Sequence, residues 1–297
     1  MALTISVPTS ISTKNAGLDA WMSRVFEKME SVQPDWNADD VHDLRVALRR
    51  CRTMADALSE VNPGPGWRRM KKASRDIFHI LGDLRDTQVE RSRVKKLGST
   101  GDPVRKHMLR VLSVQETKQQ ATAERALDEF NSKEWKKLKR KLESKAHFFP
   151  LESVVFQRLA LAGLNESVEL YRQARERRST VAWHRLRIGL KNFRYIVENF
   201  LPQRYEVWAA DLKRMQDLLG DVHDLDVLRG EIRKHTSKLD PVIVAQWMER
   251  IESERKTHLQ EFLAMTSGHE SPWLTWRAGF QWGHTLVAAP FATRRTA

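Results

Sequence analysis

An all-α fold is what this sequence predicts, on three observations. Apolar residues recur at three- and four-residue steps through most of its 297 residues. Only 13 Gly and 10 Pro interrupt them. Sustained alternation rich in β-branched residues, the mark of strands, hardly occurs. Taken in order, the spacing predicts helices over about 18–31, ending before Gln33-Pro34, and 36–60, ending at the Asn62-Pro63-Gly64-Pro65-Gly66 loop. Helices over 67–96 and 103–147 follow, separated by Gly101-Asp102-Pro103, and Asn131-Ser132 offers a further break inside the second. Phe149-Pro150 precedes 151–176, then come 180–200, 204–236 after Leu201-Pro202, 240–267 opened by Asp240-Pro241, and a shorter segment near 271–288. Residues 1–17 and 289–297 read as tails.

Composition narrows the class of partner. Lys and Arg number 51 against 38 Asp and Glu, a net charge of +13, which favours nucleic acid, an anionic membrane or a phosphate polymer. A hydrophobic content of 41% and ten Trp argue for a real core. The lone cysteine, Cys51, excludes an internal disulfide framework and suits a reducing compartment. The first residues lack a basic start followed by an apolar run, so they do not read as a signal peptide. No apolar run is long enough to span a bilayer. A cytoplasmic protein is expected.

A stripe of basic side chains occurs twice, as His-x-x-Arg-x-x-x-(Arg/Lys)-x-x-Arg. The first copy is His42, Arg45, Arg49 and Arg52; the second is His184, Arg187, Lys191 and Arg194. At 100° per residue the three cations of the first copy fall within about 80° of their histidine. Leu44, Leu48, Cys51, Ala55 and Leu58 form an apolar stripe beside it, repeated by Leu186, Leu190, Phe193, Val197 and Phe200. Arg50 points elsewhere. Like charges at these steps cost a helix a few tenths of a kcal/mol per pair. Either internal carboxylates or an external anion must offset that cost. A single basic helix would be an ordinary solvated face; its duplication favours an anion site between related halves.

The repeat continues. Leu81-Gly82-Asp83-Leu84-Arg85-Asp86 matches Leu219-Gly220-Asp221-Val222-His223-Asp224. Each half therefore holds about four helices, repeat 1 over about 18–148 and repeat 2 over about 151–288, packed as one pseudo-symmetric unit. Arg75 and Lys213 match seven residues before the glycines, with Arg68 and Lys72 at helical steps from Arg75 and Arg214 beside Lys213. The matched glycines suggest close helix approach. Asp86 and Asp224 read either as braces for arginines or as plain surface ion pairs. The run Lys136-Lys137-x-Lys139-Arg140-Lys141 reads as an exposed face of an amphipathic helix.

The paired stripes and Leu-Gly segments resemble those of the CHAD family, the histidine-containing α-helical domains, over nearly the whole chain from about 18 to 288. The resemblance implies two four-helix bundles related by a pseudo-two-fold axis, with a central basic channel. It further implies binding of inorganic polyphosphate there, recruitment to polyphosphate granules, and granule-associated proteins as companions. Carried over by position, the site comprises His42, Arg45, Arg49, Arg52, His184, Arg187, Lys191 and Arg194, with Lys72, Arg75, Lys213 and Arg214 on the following element. Two positions depart from symmetry: His223 stands opposite Arg85, and Asn192 opposite Arg50. Many relatives carry a CYTH domain as well, for which this chain has no room. Its Glu-x-Glu-x-Lys pattern does occur, at Glu252, Glu254 and Lys256, but on a helix its residues point apart.

Three other readings compete with polyphosphate binding. A nucleic-acid binder has the charge but lacks a helix-turn-helix, zinc-finger or RNP signature and interleaved aromatics. A metal held by His42 and His184 would be opposed by the neighbouring arginines. A polyphosphate-processing enzyme would need acids to hold a metal, or a Walker loop, and neither is evident. The expectation is a non-catalytic binder with no cofactor. Trp273, Trp276 and Trp282 cluster near the end, by default as core and alternatively as a partner surface.

Overall fold

The computed structural model describes residues 17–32, 35–146 and 149–280. Eleven helices and no strand are found among them: α1 (Leu18–Val32), α2 (Ala38–Val61), α3 (Pro65–Ala73), α4 (Arg75–Leu97), α5 (Pro103–Asp128), α6 (Ser132–Ala146), α7 (Val154–Arg177), α8 (Thr180–Phe200), α9 (Pro202–His235), α10 (Pro241–Met265) and α11 (Pro272–Ala278). The fold is all-α, as expected. The Gln33-Pro34 break, Trp282 and the end of the 271–288 segment lie outside the described residues.

The ends follow from capping chemistry. Asn37 accepts the backbone N–H groups of Asp39 and Asp40 at the start of α2, Asp102 caps α5, Ser179 caps α8 and Asp240 caps α10. Proline stands in the first turn of α3, α5, α9, α10 and α11, where its missing N–H costs nothing. Two expected helices are divided. The 103–147 stretch breaks between α5 and α6 at 129–131, by the Asn131-Ser132 signal. The 67–96 stretch breaks at Ser74, which apolar periodicity did not reveal. The buried Ser74 hydroxyl donates back to the Met70 carbonyl at 3.1 Å, competing with the backbone for that acceptor. Its counterpart, α9, runs unbroken.

The order of packing repeats: α1 lies on α2 as α7 on α8, α2 on α3 and α4 as α8 on α9, α4 on α5 as α9 on α10, and α1 on α6 as α7 on α11. The halves nevertheless share their cores. The larger core joins α1, α2, α3 and α6 to α7, α8 and α11. The smaller sets Val94, Val104, Met108 and Leu112 of the first half against Leu225, Leu228, Ile232, Trp247 and Ile251 of the second. Each half thus needs the other to cover its apolar faces. All ten residues of the two apolar stripes are buried. Trp273 and Trp276 are core, packed around Tyr171, Phe193 and Trp208, so they form no partner surface. No described helix is long and apolar enough to cross a membrane.

Candidate anion-binding site

Helices α2 and α8 pack against each other and bring the two stripes together. The stripe members then divide by what holds them. Arg45 donates to the Phe78 carbonyl at 3.2 Å and stacks on the Phe78 ring at 5.2 Å. Arg52 takes the same ring at 5.0 Å and donates to the Lys71 carbonyl at 2.6 Å and to the Ser74 hydroxyl. Arg194 donates to Gln216 of α9 at 2.7 Å and lies 3.5 Å from Glu198. These outer members are fastened to the fold.

The middle members are not. Arg49 lies 5.0 Å over the Tyr195 ring, and its buried Nε has no hydrogen-bond partner. Neither Arg49, Arg187 nor Lys191 has a carboxylate within 4 Å among the described residues. Burial, followed by the charges of Arg49, Arg187 and Arg45, depresses the Lys191 ammonium to about 7. Arg49 is likewise lowered, by burial first, with Arg50, Arg194 and Arg187 adding to the effect. An unsatisfied buried donor costs about 1–3 kcal/mol, and like charges add to that. The fold therefore gathers these cations without an ion-pair partner; Asp86 is the acid whose charge offsets part of their repulsion from beyond 4 Å, and Lys191 yields its proton most readily.

Each stripe histidine meets the variable position of the other motif. His42 is lowered by partial desolvation and by Arg85, whose guanidinium donates to the Ala38 carbonyl at 2.9 Å. His184 Nδ1 lies 3.2 Å from His223 Nδ1, and burial with Arg187 pushes His223 down to about 4. One of the two facing nitrogens must carry the proton for a hydrogen bond to form. Arg85 and His223, a departure from symmetry in the sequence and not among the expected site residues, are neighbours of the stripe histidines. Their signal was position: both stand three residues after the matched glycine. Phe78, Tyr195 and Gln216 gave no signal.

Other expectations are corrected. Arg214 faces α10 and pairs with Glu261, away from the stripes. Lys213 is largely exposed and pairs with Asp217 at 2.5 Å, one turn along α9. Lys72 and Arg75 do not share one helix with each other, because Ser74 parts them; Arg75 is still near enough to lower Arg52. Arg50, expected to point away, ties the halves by pairing with Glu198 and donating to Asn199 at 2.8 Å. Asp224 pairs with Arg93 at 3.1 Å rather than with a stripe arginine, and Asp86 makes no ion pair within 4 Å among the described residues. Gly82 fits the close-approach reading: a Cβ there would lie 2.6 Å from Arg45 Nη1. Gly220 does not, since nothing lies within 4 Å of such an atom. Glu252 pairs with Arg229 and Arg255, an ordinary helix-surface use of that acid. No three His, Cys, Asp or Glu side chains among the described residues form a metal-ligating group.

The family model of the CHAD domain matches residues 18–233, which contain both stripes and both Leu-Gly segments. The chain belongs to the CHAD family. Two solved structures share the CHAD chain's fold. The crystal structure of the CHAD domain from the plant Ricinus communis has a TM-score of 0.60 at 19% identity, covering 91% of this chain and 90% of that one. PptA from Streptomyces chartreusis has a TM-score of 0.60 at 14% identity, covering 82% of this chain and 96% of that one. No curated protein matches the chain.

Proposed function

We propose that this CHAD chain binds inorganic polyphosphate between α2 and α8, without transforming it, and that this binding carries it to polyphosphate granules. The observation that supports the reading most is the group of Arg49, Arg187 and Lys191, brought together with no carboxylate partner. Polyphosphate has no bases to read, so its receptor needs dense positive charge of the right shape. Arginine forks give paired hydrogen bonds to phosphoryl oxygens, and Lys191 supplies a point charge. The outer arginines, already fastened, hold the walls in place so that little side-chain entropy is lost on binding. The acid-and-metal equipment of phosphoryl transfer plays no part in this reading.

The test is calorimetry with polyphosphate at two salt concentrations, with single-stranded RNA as competitor, on the wild type and on Arg187→Glu/Lys191→Glu. Neither substituted side chain makes a hydrogen bond or ion pair among the described residues, so loss of binding reports the site. Tight wild-type binding that weakens steeply with salt, disappears in the variant and resists RNA is the expected result. Equal binding by the variant, or equal competition by RNA, overturns the reading.

A further inference from the structure

Most of the excess charge of this chain lies away from the stripes. Helices α3 and α6 together carry eleven Lys and Arg against two carboxylates, Glu134 and Glu143. This excess of nine approaches the net charge of the whole chain, +13. The two helices pack on each other: Leu142 of α6 abuts Gly66 of α3, and Lys145 Nζ lies 3.5 Å from where a Cβ on Gly64 would stand. Their solvent faces present Arg68, Arg69 and Lys72 on α3, and Lys137, Arg140 and Lys141 on α6, all exposed. None of these six has a carboxylate within 4 Å among the described residues, although Lys71 beside them is neutralised by Asp56. Other exposed cations of the chain are paired, as Arg172, Lys213 and Arg214 are, or unpaired among the described residues, as Lys95, Lys118 and Arg158 are; what sets α3 and α6 apart is the density of cations on two packed helices. Neighbouring cations on a helix stand closer than the screening length of about 8 Å at physiological salt, so their fields add.

This surface is continuous with the stripes. Arg52, the last cation of the first stripe, donates to the Lys71 carbonyl at the end of α3, and Arg75 lies near it at the start of α4. Lys72 follows that acceptor in the chain, Arg68 and Arg69 stand one turn earlier on the same helix, and α6 packs against it. The faces also limit what kind of anion fits. The aromatic rings of these two helices, Trp67 and Trp135, are buried, which leaves none exposed on which a base could stack. The apolar residues of α6, Trp135, Leu138 and Leu142, are used up in the core, so no apolar face remains to enter a lipid surface. What fits is a flexible polyanion recognised by charge alone.

We infer that the exposed faces of α3 and α6 form a second track for polyphosphate, taking up the overhang of a long chain whose first segment lies between the stripes. The inference rests on the function proposed above for the stripes. It makes affinity depend on chain length, because a short ligand satisfies the stripes and only a long one reaches α6.

The experiment compares a polyphosphate of about eight phosphates, one for each stripe side chain, with one of about a hundred. Each is titrated into the full chain as wild type, as Lys137→Glu/Arg140→Glu/Lys141→Glu and as the same triple change to Gln. Helix content and melting temperature confirm that both variants are folded. The expected result is long-chain binding about tenfold or more tighter than short in the wild type, with that advantage lost in the Glu variant and reduced in the Gln variant. The slope of log affinity against log salt for the long chain becomes shallower by roughly two, for three lost phosphate contacts. Short-chain binding stays unchanged. A long-to-short ratio unaltered by both variants overturns the track and leaves the stripes standing. Short-chain binding absent from the wild type, with long-chain binding present and lost in the Glu variant, overturns the stripe reading and leaves the α3–α6 surface standing. Single-stranded RNA bound as tightly as the long chain, and lost in the same variant, overturns the assignment to polyphosphate.

Discussion

Lys191 is where the site's chemistry is most directly measurable. Its ammonium is depressed to about 7 by burial and by Arg49, Arg187 and Arg45. Below that pH the folded state holds a charge that the fold disfavours; above it the folded state releases a proton that the unfolded chain still keeps. Stability therefore rises with pH from about 7 up to the ordinary lysine range. A polyanion reverses the preference and restores the proton. Binding at about pH 8 is expected to take up a fraction of a proton, seen as a dependence of calorimetric heat on the ionisation enthalpy of the buffer. Lys191→Arg, which stays charged throughout, is expected to abolish this uptake and flatten the fall of affinity above neutral pH. Glu90 tells a parallel story at the α4–α9 contact. Burial, Glu231 and Asp86 raise it to about 7. The folded state then binds the proton that the unfolded chain releases above its ordinary value. Stability contributed there is present at acid pH and lost as pH rises towards 7. Glu90→Gln is expected to raise the melting temperature at about pH 8 and to leave it nearly unchanged at about pH 4.

At the scale of the helix, the matched glycines separate. Both sit mid-helix in equivalent motifs, and their flanking residues do not distinguish them. Gly82 leaves room for the Arg45 guanidinium, whereas the space over Gly220 is open. Gly220→Ala is expected to stabilise the protein by about 0.5–1 kcal/mol, the ordinary helix preference, with polyphosphate binding unchanged. Gly82→Ala must displace Arg45 from Phe78 and Gly82, and is expected to weaken binding despite the same gain in helix propensity. Thermal melts and calorimetry on the two variants check both statements. The break at Ser74 belongs to the same scale. Periodicity runs through it because Trp67, Met70 and Ile77 all face the core. Only the hydroxyl's bond to Met70 and its acceptance of Arg52 show why the chain bends there.

For the molecule as a whole, the shared cores make the halves interdependent. Ile251 is fully buried in the smaller core, against residues of both repeats. Ile251→Ala is expected to cost about 2–5 kcal/mol and to lower a single cooperative transition, rather than melt the second half alone. Differential scanning calorimetry that resolves two transitions would show independent halves instead. The Arg50–Glu198 pair, the Arg93 pairs with Asp221 and Asp224, and the larger core all cross the same boundary.

The repeated stripes, their helical phase, the apolar faces beside them and nearly every helix end were legible in the residues, because each is set by local geometry: 100° per residue, proline and capping side chains. The eight stripe positions could be named on that ground. What the tertiary structure alone decided is which of their charges are left without a partner. Gln216 and the Phe78 and Lys71 carbonyls come to the outer arginines from other helices, with Glu198 adding to Arg194 from one turn along α8, while Arg49, Arg187 and Lys191 meet one another. It also decided that Arg214 turns to α10 and that His223 comes to His184. These outcomes depend on how α2, α4, α8 and α9 pack, and the spacing of residues along a single helix carries no information about what the facing helix will present.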